Sequence, residues 1–463
     1  MALDFIEISG YRGISDAQRL HLAHPSAQPG SGLTLIVGPN NAGKSTVMEA
    51  FRVLAMRSPP SFSEAVRNAA AGSRVTIRTQ LFGGDEVGLR TVTGGGSECV
   101  WDPAPPQGLQ LFVLPSRRAF AAYFGRGSSP SRDEYMGGGG LPERGQLPNT
   151  FSSRLFGVQE HREDFDAMLG RVLTPVPDWY IEQGAQGGYY LKFQAGDASH
   201  SSEGLGEGIV SLLMLVDGLY DSRPGDTVVI DEPELSLHPS LQLRLRDLLL
   251  DLAKDRQIVC ATHSPFFISW DAIESGGALI RARRTTTGCT FHALSPGSVE
   301  AIRGLLRNWN NPHILGLDAA AVFFLEDGLV LVEGQDDVLA YRALARQLGV
   351  AVAGSFFGWG VGGAGNMGTV AQIFSDLGFE RVVGILDANK SVLADSLSAR
   401  FPTYRFLVAP TDDVRSKAAT EAREAREGMM DSALNIRPEH GDEARQLLEL
   451  VNASLEPPAR LGS

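Results

Sequence analysis

Residues 38–46 read GPNNAGKST. Gly38, Gly43, Lys44 and Ser45 hold the spacing GxxxxGK[ST], with Asn40, Asn41 and Thr46 completing the loop. Glycines let backbone N–H groups turn towards phosphate oxygens, a lysine there reaches the β and γ phosphates, and a serine hydroxyl ligates Mg²⁺. The implied cofactors are ATP and Mg²⁺; the plain alternative is a glycine-rich turn before an ordinary helix. An acidic pair, Asp231-Glu232, follows the apolar run Val228-Val229-Ile230. Asp231 would hold Mg²⁺, directly or through water, and Glu232 would orient and deprotonate an attacking water, with helix capping as the alternative. His263, in ATHS, is placed to sense the γ-phosphate, or else to serve as a capping or core histidine. A second centre combines Glu333, Asp337 and Asp387. Carboxylates gathered at the ends of parallel strands repel one another and invite a divalent cation, Mg²⁺ or Mn²⁺.

Particular elements must position these groups. The apolar run Leu33–Val37 predicts a strand entering the phosphate loop and residues 47–54 a helix leaving it. Further strands are expected over 3–9, around 20–22, over 75–82, 228–230, 257–261 and 279–284, the last ending in the basic cluster Arg281, Arg283 and Arg284. That cluster reads as a solvated edge or a nucleic-acid backbone contact. Residues 102–148 are rich in Gly and Pro, include Gly137 to Gly140, and carry Arg117, Arg118, Arg126, Arg132 and Arg144. They read as a mobile surface loop or one that meets phosphates. In the second half, strands at 329–332 and 381–386 deliver Glu333 and Asp387, a helix over 338–348 follows Asp337, and GWGVGGAGN at 358–366 is a tight loop. Residues 418–455 read mostly as helix broken at Pro438. The break at Asn310-Asn311-Pro312 is the expected boundary, giving a nucleotide unit over 1–310, a linker over 311–327 and a second α/β unit over 328–463.

Composition limits the function classes. The 463 residues and 43% hydrophobic content support two or three packed domains. The net charge of −13 excludes binding of nucleic acid by bulk attraction and leaves local patches to do it. There are five lysines among 41 basic residues, so the places of Lys44 and Lys417 carry weight. No apolar run reaches the about 18 residues of a membrane span, and three scattered cysteines give no disulfide or zinc pattern, which predicts an intracellular, cytoplasmic protein without a membrane partner.

The run VVIDEPELSLHP, followed by ATHSPFFI, resembles the Walker B, D-loop and switch-histidine series of ABC-type ATPase heads of the RecF and SMC branch. SEGLGEG at 202–208 stands where those heads carry their signature motif, in degenerate form. The resemblance implies that Gly206 and Glu207 meet the nucleotide of a partner copy in a head-to-tail homodimer. Gln80 is a guess for the Q-loop glutamine. FFLEDGLVLVEGQDD followed by GGAGN resembles a Toprim domain, in the version of the OLD-family (overcoming lysogenization defect) nucleases. The implied fold is an ABC/RecF-like P-loop ATPase head followed by a Rossmann-like Toprim α/β domain. By motif position Glu333, Asp337 and Asp387 become metal ligands, with Glu333 also a candidate general base. TDDVRSK at 411–417 resembles the family's late acidic and lysine element, which makes Lys417 a candidate to neutralise a scissile phosphate. One departure stands out: the usual DxD reads Asp387-Ala388-Asn389 here.

The resemblance implies an ATP-dependent, divalent-metal-dependent DNA endonuclease, often of anti-phage defence and open to a defence partner protein. The alternative is an ABC-type ATPase switch whose degenerate Toprim domain binds nucleic acid or a protein without cutting.

Overall fold

The computed structural model describes residues 2–56, 58–72, 74–92, 97–106, 109, 111–116, 118, 149–195, 198–201, 206–307, 314–324, 328–419 and 425–456. The chain divides into two compact units, Met1–Ala293 and Leu294–Ser463.

The first unit is built, among its described residues, on a six-stranded sheet in the order Cys289–Ala293, Ala278–Arg284, Leu33–Val37, Gln257–Ala261, Thr227–Asp231, Leu111–Leu114. All neighbours run parallel except the first pair. The central strands Leu33–Val37, Thr227–Asp231 and Gln257–Ala261 are buried at every residue, as expected for a sheet covered on both faces. The helix Lys44–Leu54 packs between this sheet and an antiparallel one, ordered Gln18–His21, Leu3–Ser9, Thr76–Leu81, Glu86–Thr91, Cys99–Trp101. Its Val47, Phe51 and Leu54 share a core with Ile6, Ile8, Ile77 and Leu89 of that sheet and Val229 and Val259 of the parallel one. Fully buried Gln257 pins the two sheets together. Its amide nitrogen donates to the carbonyls of Leu3 and Ala23, and its oxygen accepts from the Leu3 amide and the Thr227 hydroxyl.

Two expectations change here. Within 102–148, Leu111–Leu114 is a buried strand paired with Thr227–Asp231, so this stretch is part of the sheet rather than a loop. Arg118 is 4% exposed, which removes it from any phosphate-meeting surface. Arg117, Arg126, Arg132, Arg144 and the glycines 137–140 lie outside the described residues. Arg281 is 1% exposed, so the basic cluster at the end of its strand is not a uniform solvated edge; Arg284 alone of the three is exposed.

The second unit carries, among its described residues, a parallel four-stranded sheet ordered Ser355–Phe356, Leu329–Leu331, Val382–Leu386, Arg405–Val408. The two-residue period of a strand sorts its side chains. Val383 and Ile385 join a core with the helices Gln335–Leu348 and Gly441–Leu455, while Gly384 turns to the opposite face, towards Phe406 and Met367. Residues 418–455 are less helical than expected, because Gly428–Met430 forms a strand beside Asp413–Arg415.

The division falls after Ala293, not at 310. The helix Pro296–Leu306 belongs to the second unit, where the Ser295 amide at its N-cap donates to Asp376 at 2.9 Å. Residues 308–313, with Asn310-Asn311-Pro312, lie outside the described residues. The expected linker contains the helix Leu317–Ala321 and Phe323, which is 1% exposed and packs its ring 5.9 Å from that of Phe374.

One buried ion cluster ties helices of the first unit. Arg154 grips Asp217 through two hydrogen bonds of 2.9 Å and reaches Asp221 at 2.6 Å. Removing Asp217 leaves the buried Arg154 charge only partly compensated, by Asp221, so Asp217→Ala is expected to cost about 3 kcal/mol in denaturant unfolding of the full chain. Asp217→Glu, which keeps the charge, should lose less.

Candidate nucleotide site and acidic centre

The first site forms where parallel strands end. Between Leu33–Val37 and the helix Lys44–Leu54, the loop turns through left-handed backbone at Asn41 (φ 62°) and Gly43 (φ 100°). Gly43 also needs its lack of a side chain, since a Cβ there would stand 2.9 Å from that of Cys289. Lys44 lies along the inside of the loop, 5% exposed, and its Nζ donates to the carbonyls of Gly38 at 2.8 Å and Pro39 at 2.9 Å. Burial lowers its pKa to about 8, against the pull of Glu232, Asp231 and Glu234. The loop opens on a cavity of about 480 Å³. Asn40, Asn41, Gly43, Lys44, Ser45, Thr46, Glu232 and His263 line it, as do Arg12, Gly13, Arg284 and Cys289.

The expected site residues therefore converge, with four qualifications. Gly38 stands behind the cavity and contributes its carbonyl to Lys44. Asp231 is 5% exposed and sits behind Glu232 rather than on the cavity wall. Gly206 and Glu207 are exposed at the start of the helix Glu207–Asp221 and do not line the cavity of their own chain; residues 202–205 lie outside the described residues. Gln80 sits within Thr76–Leu81, opposite Glu86 of the antiparallel sheet and away from the cavity, which overturns it as a nucleotide contact.

Glu232 occupies left-handed backbone (φ 50°), and its carboxylate stands 3.9 Å from Nε2 of His263. His263 is held below its ordinary pKa by burial and by the Lys44 charge, so its ring is neutral at pH 7. Two residues fix this corner: Glu234, which sequence reasoning passed over, and Arg118, which it placed in a surface loop. Glu234 accepts from the Thr262 hydroxyl at 2.7 Å and from the His263 amide at 2.6 Å, with burial raising its pKa. Arg118 donates to the carbonyls of Asp231 and Glu232 at 2.7 Å each. Glu234 is visible in the sequence only as one more acid in DEPE. Nothing in a Gly- and Pro-rich stretch marks Arg118 as buried.

In the second unit Glu333 and Asp387 end adjacent parallel strands, and the Asp387 amide faces Glu333 Oε1 at 3.5 Å. Asp337 caps its own helix, accepting from the Gly334 amide at 2.9 Å. The glycine loop closes over this turn. Gly360 (φ 89°) lies so near Gly334 that a Cβ would come within 2.7 Å of its backbone, and the Gly363 amide donates to the Glu333 carbonyl. Burial, then neighbouring acids, push Asp337 up to about 6 and Asp387 up to about 7. Asp413, which the sequence reading left out of the site, adds to the negative field on both. It is 2% exposed and holds Lys417 by a 2.7 Å hydrogen bond. Lys417 is thus already paired, and Asn389 is exposed. The donor set consists of hard carboxylate oxygens carrying excess negative charge, which suits a divalent cation. Among the described residues, no three His, Cys, Asp or Glu side chains stand ready to close on one ion.

A phosphate loop between a parallel strand and a helix, faced by an acid pair and a histidine from the next strands, defines a P-loop nucleotide-binding unit. Two family models match the chain: "AAA ATPase domain" over residues 1–83 and "AAA domain, putative AbiEii toxin, Type IV TA system" over 161–269. The chain thus carries ATPase domain sequence. It is similar to the OLD nuclease of Thermus scotoductus, 33% identical over 171 residues, covering 35% of this chain and 31% of that protein. The chain matches less than a third of that relative's length. Solved structures with likeness include the SMC head domain from Thermotoga maritima, at 15% identity and TM-score 0.38 over 64% of this chain and 100% of that one. Another is the Smc head domain of Pyrococcus furiosus bound to the C-terminal domain of ScpA, at 15% and 0.42 over 66% and 99%. No helix among the described residues is long and apolar enough to cross a membrane.

Lys44 gives the nucleotide site a pH dependence. Its pKa of about 8 in the free protein means that above this pH the lysine loses its proton, while a bound triphosphate would restore it. ATP binding should then take up a proton above pH 8, and affinity should fall by up to about tenfold per pH unit there. Titration calorimetry in buffers of different ionisation enthalpy measures that uptake; pH-independent binding between 7 and 9.5 would contradict it.

Proposed function

We propose that the chain is an ATP-binding and ATP-hydrolysing protein whose second unit is a Toprim-type, divalent-metal-dependent DNA endonuclease governed by the nucleotide. In the first unit Lys44 and the loop amides would hold the phosphates. Ser45 and Asp231 would carry Mg²⁺, Glu232 would polarise water, and neutral His263 would face the γ-phosphate. Exposed Gly206 and Glu207, away from the cavity of their own chain, favour a homodimer in which each copy completes the site of the other.

The observation that carries the nuclease half is the meeting of Glu333 and Asp387 at adjacent strand ends, with Asp337 beside them. Such a set would hold Mg²⁺ or Mn²⁺, which supplies charge neutralisation at a phosphodiester and an activated water. Glu333 serves as ligand or general base, and Lys417 would meet the scissile phosphate only by leaving Asp413. The OLD nuclease relative supports a nuclease reading, while DNA as substrate and anti-phage defence with a partner protein as the setting come from the family resemblance alone.

A second reading has its own support. Asn389 stands where a further acid is expected, and Lys417 is already paired with Asp413. On that reading the second unit binds nucleic acid or a protein without cutting.

Nicking of supercoiled plasmid with Mg²⁺ or Mn²⁺, with and without ATP, separates the two. Cleavage that disappears in Glu333→Ala supports the nuclease. Absence of cleavage with every metal, while ATP is still hydrolysed, leaves the second reading. Under both, Glu232→Gln should bind ATP but turn it over about 10²-fold or more slowly, the usual loss for a general base.

A further inference from the structure

Arg118 takes part in none of the chemistry above, yet its side chain is fully engaged in hydrogen bonds. Its guanidinium is buried, and every nitrogen of its fork donates. Nη1 donates to Pro115 O at 2.9 Å and Asp231 O at 2.7 Å, Nη2 to Glu232 O at 2.7 Å, and Nε to the Ser211 hydroxyl at 2.8 Å. The Asp231 and Glu232 carbonyls belong to the turn that presents Glu232, while Pro115 lies three residues before Arg118 in its own segment. The fourth acceptor, Ser211, belongs to the helix Glu207–Asp221, one turn from its exposed start.

Left-handed backbone at a glutamate is sterically disfavoured and persists only where its surroundings hold it. Arg118 supplies that hold by tying down the carbonyls on both sides of the Glu232 amide. The same helix approaches the turn a second time, where Gly208 packs so closely on the Ser236 carbonyl that any side chain would overlap it. The helix start and the Glu232 turn are therefore joined at two points, one a hydrogen-bonded fork and the other a backbone contact.

We propose that Arg118 is a positioning residue that fixes the Glu232 turn and relays to it any displacement of the exposed helix start at Gly206 and Glu207. This rests on the ATP-hydrolysis reading for its functional consequence, though not for its structural one. A lysine could not reproduce the link, having one donor centre where the fork spans two carbonyls and a hydroxyl.

The test uses the full chain, with Arg118→Lys, Ser211→Ala and the double variant. ATP affinity and melting temperature are checked first, then kcat and KM, then hydrogen–deuterium exchange of peptides covering 231–237. The expected result is ATP affinity within about twofold of the parent, kcat down at least tenfold in Arg118→Lys and several-fold in Ser211→Ala, and faster exchange across 231–237 in both. The double variant should lose no more than Arg118→Lys, because both break one link. Unchanged kcat and exchange would overturn the proposal, as would losses that multiply or that follow ATP affinity. If the parent binds ATP without hydrolysing it, the hydrolysis reading fails, and the exchange data still decide whether Arg118 and Ser211 hold the turn. Should Arg118→Lys not fold, Ser211→Ala, which removes only a hydroxyl, carries the test.

Discussion

A charge taken out of water must be met by hydrogen bonds or by opposite charge, and both units are organised by where they bury charge. In the first, Lys44 is satisfied by loop carbonyls and Arg118 by the carbonyls of the acidic turn. Glu234 is satisfied by a hydroxyl and an amide of the next strand's end. The Lys44 bonds close the loop on itself, whereas those of Arg118 and Glu234 span elements distant in sequence and fix geometry that the backbone alone leaves free. The consequence is a cavity wall whose variable parts, Glu232 and His263, are both held from behind by residues that never face the cavity.

Both units place their acids at the carboxyl ends of parallel strands, where ligands of open α/β sheets characteristically bind. The difference lies in the counter-charge. Lys44 stands among Asp231, Glu232 and Glu234, so the first site contains its own cation. In the second, Lys417 is taken by Asp413, and Arg415 by Asp336. Glu333, Asp337 and Asp387 are left to repel one another, and burial first and that repulsion second push Asp337 and Asp387 above the ordinary carboxylate range.

Sequence legibility followed the range of the interaction. The phosphate loop, its strand and helix, and the strand ends carrying Asp231, Glu333 and Asp387 were all readable, because each depends on residues within about ten positions of one another. The strand Leu111–Leu114 was not, since four apolar residues inside a Gly- and Pro-rich stretch give no periodicity to read. Within TDDVRSK nothing in the sequence distinguishes Asp413 from Asp412, and only the fold shows that Asp412 is exposed while Asp413 is buried. The boundary was misplaced for a related reason. The pattern of Pro296–Leu306 announces an amphipathic helix, but not the unit against which its apolar face packs.

The same reasoning explains why a scarce residue type proved a sound guide to place and a weaker one to role. Lys44 and Lys417 both lie where chemistry was expected, and both are half of a buried or half-buried charge arrangement. Lys44 is held by neutral carbonyls, which a bound polyphosphate can outbid with full negative charge at little cost. Lys417 is held by a buried carboxylate, and pulling it away would leave Asp413 charged at 2% exposure with, among the described residues, Arg426 at 3.9 Å and the Arg415 amide at 3.2 Å to offset it. A substrate phosphate alone is a poor exchange for that loss, whereas a divalent cation entering among the acids would compensate Asp413 at the same time as it freed the lysine. On the proposed reading, metal entry and release of Lys417 would be two sides of one electrostatic event.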